Sequence, residues 1–412
     1  MHKFIMFEMK KAAKSSFFYI LLALLVLVIS GYFIYNYIQT ERVEDLIEEA
    51  ETTVSAYERR LQERGFEKGS DINDVKNPLE AREIEINLKF IERNETRLQG
   101  YENHDWKKVV GEEIKILEYY FERFPTQAEE QVYTWLTHFS REVNLERNRW
   151  LRDREIRPVF PIHEGTELTV YDEVFDSEID EEAAHMASNI HSSSGFYFLY
   201  RLFELFLTVF GAAFFLFLFG NVMTREGLGQ NGPIHFIYTQ PVRRGTVFVS
   251  KAISVALMSL LIVFSVGLFS LLLGVVFDRL GAWDYPVLIY EPEFQFSFML
   301  MGTFLLWSAL LFLMVLVFCY AWLFLFSVLA RRTSIAIGLT LAVAFLGVQF
   351  SDQIVGAYNP FLYFNVYEII TLETALVQEN FDINLVSGVL SLGVSSLLIL
   401  SLSYFILRVR MR

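Results

Sequence analysis

The sequence predicts an all-α polytopic membrane protein with six transmembrane helices. A large, mainly helical extracytoplasmic domain is expected between helices 1 and 2. Three observations predict this. Long runs nearly free of charge recur along the chain, basic residues cluster in alternate loops between them, and acidic residues concentrate in one block after the first run. The average composition, 53% hydrophobic over 412 residues, lies little above the roughly 45–50% of soluble domains. Distribution, not the average, decides the class.

Six apolar runs set the helices: Phe17–Tyr37, Phe196–Asn221, Val247–Phe277, Phe298–Ala330, Ser334–Phe350 and Leu385–Leu407. A crossing needs about 20 apolar residues, so the third and fourth are long enough to tilt or project. Lys3, Lys10, Lys11 and Lys14 precede the first run. Arg225, Arg243 and Arg244 lie between the second and third, with Lys251 just inside the third. Arg331 and Arg332 lie between the fourth and fifth, and Arg408, Arg410 and Arg412 end the chain. With six spans these clusters share one side, and excess Lys and Arg mark that side as cytoplasmic. Both termini are then expected inside a multi-pass protein of a bacterial cell membrane.

The chain divides accordingly. Residues 1–37 carry an N-terminal interfacial helix and transmembrane helix 1. Residues 38–195 form the extracytoplasmic acidic domain. Residues 196–412 hold helices 2–6, with a cytoplasmic loop at about 222–246. Residues 38–197 contain 37 acids and 20 bases, a net of −17, against 12 acids and 15 bases elsewhere. The acidity therefore belongs to one domain and keeps it soluble. No nucleic-acid partner is expected. The first run exceeds the apolar core of a cleaved leader and lacks a small-x-small cleavage site, so it reads as an anchor. The one cysteine, Cys319, excludes an internal disulfide.

Within the outer domain, Glu41–Phe66 reads as a helix continuing from the first span. Asn77-Pro78 starts another, Phe124-Pro125 stops the next, and Gln127–Arg154 reads as a further helix with Val132, Trp135, Leu136 and Phe139 facing inward. Glu167–Asp172 alternates like a short strand, and Asp176–Ile190 reads as an acidic helix. His163, His185 and His191 fit no recognised metal-ligand spacing, and Asn94-Glu-Thr96 matches a glycosylation acceptor.

Gly227, Gly229 and Gly232 spell G-x-G-x-x-G. The context excludes a dinucleotide site: a long apolar run precedes the motif, Pro233 follows it, and Lys251 stands where an acid would be needed. Charge in the apolar runs is scarce. Arg201 and Glu204, three apart on one face near an end of run two, read as an intramembrane ion pair. Lys251 is placed to extend to the cytoplasmic surface. There is no phosphate-binding G-x-x-x-x-G-K-[ST] loop, no HExxH and no nucleophile–base pair. No catalytic residue, metal site or cofactor is therefore assigned to this chain, and any uphill work needs another polypeptide.

The order of features resembles the permease subunit of ABC-2 type ABC transporters. An acid and glycine, Glu226-Gly227, follow the second span. A turn holding Pro241, Arg243 and Arg244 comes next, and Lys251 opens the third span. The Phe4–Lys11 stretch is similar to the family's interfacial helix, and Asn359-Pro360 to its outer re-entrant segment. Gln240 departs from the family's usual serine, and the outer domain is unusually large.

The resemblance implies that the loop, through Glu226, Gly227, Pro241, Arg243, Arg244 and Lys251, couples to a cytosolic ABC ATPase that binds ATP and Mg. It also implies a second permease chain, as homo- or heterodimer, and membrane lipid around both. The expected function is export of an amphiphilic, lipid-like or peptide substrate. Two other readings use the same residues: a membrane-anchored receptor or scaffold sensing a ligand through the outer domain, and a membrane-bound lipid-modifying enzyme. An ATPase partner would count against both.

Overall fold

The computed structural model describes residues 2–68, 77–125, 133–163, 166, 168–188, 190–224, 244–330, 332–353 and 356–410. In chain order the helices are α1 (His2–Ala13), α2 (Ser16–Gln39), α3 (Val43–Glu63), α4 (Pro78–Glu102), α5 (Trp106–Arg123), α6 (His138–Asp153), α7 (Glu178–Ser188), α8 (Gly195–Phe206), α9 (Val209–Thr224) and α10 (Arg244–Phe277). A hairpin of β1 (Pro286–Glu291) and β2 (Gln295–Leu300) follows. Then come α11 (Met301–Leu329), α12 (Thr333–Gln349), a 3-10 turn at Pro360–Phe364, α13 (Val366–Ile370), α14 (Glu373–Val377) and α15 (Leu385–Arg410). Two compact units contain these elements: Met1–Ile34 with Ser194–Arg412, and Tyr35–Ser193.

In the first unit α11 is central. Its most apolar window is 61% buried, against 22% in the windows of α2 and α15 and 28% in that of α10. The helix carries no charge, so its whole circumference can be enclosed, and Phe304, Phe312 and Phe318 are among its fully buried rings. It packs against α15, α12, α9 and α10. The less enclosed helices leave large apolar side chains exposed, such as Leu27, Phe264 and Leu397. That is the pattern of helices that meet lipid, where nothing drives apolar side chains inward.

Four of the six expected spans are single long apolar helices. Among the described residues, four helices are long and apolar enough to cross a membrane, and a fifth counts if the bent pair α8–α9 is one span. The second run is not one straight helix: α8 and α9 meet at 80°. Gly211 permits the bend, because a Cβ there would collide with the carbonyl of Phe206. The fifth run forms α12, whose 17 residues lie at the short end of the about 17–25 that a crossing uses.

The fourth run also differs at its start. Phe298–Leu300 belong to β2, paired antiparallel to β1 with Pro286 opposite Leu300, and the helix begins only at Met301. The hairpin is therefore an exception to the all-α expectation. Tyr290 N–H donates to the Thr371 carbonyl (3.0 Å), which ties β1 to the end of α13.

In the second unit α3 packs on α4, α4 on α5, and α5 on α6. Leu61, Ile84 and Ile91 form a buried cluster, covered by Val54, Tyr57, Phe66 and Leu88. Pro78 opens α4 where its missing N–H costs nothing, and Asn77 Oδ1 caps the helix by accepting from Leu79 N–H at 3.1 Å. Buried Glu113 on α5 meets both Arg93 (2.8 Å) and Arg97 of α4.

Two local expectations are corrected here and one is refined. The next helix follows the first span within one helical stretch, Ser16–Glu63, after a short break: α2 ends at Gln39, Thr40 Oγ1 donates to the Asn36 carbonyl, and α3 starts after Arg42, whose N–H donates to Asp45. The helix expected over Gln127–Arg154 starts at His138, so Trp135 and Leu136 precede it. Its cap is Thr137, whose hydroxyl accepts from Ser140 N–H at 3.1 Å.

The strand expected at Glu167–Asp172 is a turn over the described residues of that stretch. The Asp172 carboxylate accepts from Thr169 N–H (2.9 Å), Thr137 N–H (3.1 Å) and Ser140 Oγ (2.5 Å). The alternation is real, but its polar members close a turn onto the start of α6.

Candidate functional site

The residues singled out for coupling divide at the limit of the described chain. Glu226, Gly227, Pro241 and Arg243 lie outside the described residues, as do Gly229 and Gly232. Arg244 is the first residue of α10. Lys251 lies two turns further along that helix.

Lys251 does not extend to a surface. It is 6% exposed, and its Nζ lies 3.2 Å from Oε1 of Glu8, itself 2% exposed. Glu8 is the sole acid of α1, and Arg244 and Lys251 are the sole charges of α10. Two helices that are otherwise apolar or cationic thus bury one opposite charge each. The sequence reading missed Glu8. The available signal was a lone carboxylate on the face of α1 that also carries buried Ala12, while Met6 and Phe7 point outward.

Arg201 and Glu204 form an ion pair on α8, with Nη1 to Oε2 at 2.8 Å. Their spacing of three residues places both on one side of the helix. Nearby, the hydroxyls of Tyr200 and Tyr367 lie 3.0 Å apart, which links α8 to α13. Glu368 on α13 accepts from Asn365 Nδ2 and from Thr374 Oγ1 (3.1 Å). The Glu373 carboxyl is pushed up to about 7 by burial first, then by the like charges of Glu368 and Glu204. Polar groups of α8, α13 and α14 therefore collect at one place in a unit whose helices are otherwise nearly uncharged.

Asn359 and Pro360 open the 3-10 turn between α12 and α15. Asn359 Oδ1 accepts from Phe361 N–H, and its Nδ2 donates to the Ser351 carbonyl, both at 3.2 Å. Pro360 supplies a fixed φ at the first position of the turn. Phe361 then lies over Gly347 of α12, where any Cβ would collide with its ring. Tyr363 is fully buried and donates to Ser387 Oγ of α15 at 3.1 Å. The turn is thus clamped to both flanking helices. Among the described residues no three His, Cys, Asp or Glu side chains come together to hold a metal ion.

Several long apolar helices around a buried, uncharged central helix define a multi-pass membrane protein. The family model described as "ABC-2 family transporter protein" matches residues 5–407, which is nearly the whole chain, and the protein belongs to that family. It is therefore an ABC-2 type permease, a membrane subunit of transport and not an enzyme. Permeases of this family generally work with ABC ATPase partners. Neither a curated protein nor a solved structure matches the chain.

Proposed function

We propose that this permease is driven by a separate cytosolic ABC ATPase, which binds ATP and Mg, and that it exports an amphiphilic, lipid-like or peptide substrate. The carrying observation is the family match over residues 5–407. The chain's own residues support the division of labour, since the sequence has no phosphate-binding loop. The segment at about 222–246 is the proposed contact with the ATPase. Glu226, Arg243 and Arg244 would orient it through charge-assisted hydrogen bonds, while Gly227 and Pro241 shape its turns. Lys251 acts from within α10, where its ammonium is engaged with Glu8.

A second permease chain completes the transporter in this reading, and both termini face the cytoplasm of a bacterial cell. Residues 38–195 then lie outside the membrane. An apolar route with few charges suits an amphiphile better than an ion, because a desolvated ion needs paired polar groups along its path.

The test is a mild-detergent pull-down of the full chain from its native host, beside a Glu226→Ala/Arg244→Ala variant. An ABC ATPase is expected with the natural chain and at reduced yield with the variant. Absence of any ATPase from both samples, with none captured by cross-linking in intact cells, would overturn the reading.

A further inference from the structure

Glu8 and Lys251 are 243 positions apart in the sequence, yet their charged atoms lie 3.2 Å from each other. Both residues are almost fully enclosed, at 2% and 6% exposure. A buried carboxylate or ammonium is tolerated only when paired, so each charge requires the other in place. The contact is supported along the same two faces. Ser254, one turn beyond Lys251 on α10, places its Oγ 3.2 Å from the carbonyl of Ile5 on α1 and 2.6 Å from that of Ser250. Val247, Ser250, Lys251, Ser254, Val255 and Met258 form one buried stripe on α10, with the spacing of a helix face. Ile5, Glu8 and Ala12 have the matching spacing on α1.

The position of this pair in the chain gives it a consequence. α10 begins at Arg244, directly after the segment proposed to meet the ATPase. α1 leads through Lys14 and Ser15 into α2, the first apolar helix. A displacement delivered to the start of α10 reaches Lys251 within two turns. If α1 is held there by a desolvated charge pair, it must move with α10.

We propose that Glu8 is a positioning residue: through its ion pair with Lys251 it fastens α1 to the start of α10, so that motion of the coupling segment is passed to the N-terminal helix as well as to α10. The inference rests on the permease reading for its energy source, but the fastening itself does not. An aliphatic contact would hold α1 by area alone. The charge pair adds a specific register, because neither partner can slide one turn without breaking the 3.2 Å contact between two buried charges.

The experiment uses the full chain in lipid nanodiscs, with any ATPase that co-purifies. Four forms are compared: the natural chain, Glu8→Gln, Lys251→Met, and the exchange Glu8→Lys with Lys251→Glu. Amide hydrogen exchange over residues 2–13 reports the fastening. The ATPase rate that depends on the permease, after subtraction of the ATPase alone, reports coupling. Each single variant is expected to speed exchange in 2–13 by roughly a hundredfold, the scale of a broken buried pair. Each should also lose most of the permease-dependent rate while the ATPase still co-purifies. The exchanged pair should recover both.

Unchanged exchange in the single variants would overturn the fastening. Faster exchange with an unchanged permease-dependent rate would overturn the coupling role. Should the single variants fail to insert, the exchanged pair decides, and its failure to restore protection over 2–13 overturns the proposal. If the natural chain brings down no ATPase, the permease reading fails and takes the coupling role with it, and the exchange data then judge the fastening alone.

Discussion

The Glu373 carboxyl is held at about 7 by burial and by the neighbouring charges of Glu368 and Glu204. Its ordinary value is near 4.5. Between those two values the folded chain keeps a proton that the unfolded chain has released. The stabilisation linked to that proton is complete below about 4.5, declines as pH rises, and is lost above about 7. Thermal unfolding in nanodiscs should therefore show a midpoint that falls between pH 5 and pH 8. Glu373→Gln, which cannot release a proton, should flatten that slope. An equal slope in both forms would place the titrating group elsewhere. Arg201 and Glu204 show the complementary solution to the same problem, since they answer one another at 2.8 Å. That pair was legible from spacing alone. Glu8 was not, because its partner is 243 positions away and no local pattern connects them.

At the scale of elements, the start of α6 is held by its cap Thr137 and by Asp172. Asp172 accepts from Thr137 N–H, Ser140 Oγ and Thr169 N–H while only 8% exposed. Asp172→Ala removes the acceptor of the Thr137 and Thr169 N–H groups, while Ser140 Oγ keeps Thr169 Oγ1 at 2.8 Å, and should cost about 3 kcal/mol. The loss should appear as faster hydrogen exchange over 138–153 with little change in the apolar helices of the other unit. The same residues show where sequence reasoning failed. Alternation over Glu167–Asp172 reads as a strand, but Asp172 instead binds the start of α6, through bonds to Thr137 and Ser140 that are 35 and 32 positions away.

The hairpin was hidden for two reasons. Phe298–Leu300 are as apolar as the helix they precede, and the turn bends through Glu293 and Phe294 at φ 59° and 58°, where Asn-Gly or Asp-Gly would have given the signal. The bend between α8 and α9 was hidden likewise, since Leu207 and Thr208 interrupt neither the hydropathy nor the length of the run. By contrast, Asn77-Pro78 and Phe124-Pro125 mark real helix boundaries because proline acts locally.

For the whole molecule, hydropathy located the long helices, because length and lack of charge are sums over about 20 residues and tolerate local error. It did not distinguish a straight crossing from the bent pair α8–α9. That bend depends on the close approach of Gly211 to the Phe206 carbonyl, which no window average contains. The family was legible in the order of Glu226-Gly227, the Pro241–Arg244 turn, Lys251 and Asn359-Pro360, and the match over residues 5–407 agrees with it. The central claim is that a cytosolic ATPase works this chain through the segment before α10. It is tested most directly by placing a photo-crosslinking amino acid at Gln240, then in turn at Glu226 and Arg243, and irradiating intact cells. The account predicts an adduct with an ABC ATPase from at least one of these positions and none from a control position at Tyr119 in the other unit. Failure of all three positions to capture an ATPase, in cells where the chain reaches the membrane, would contradict it.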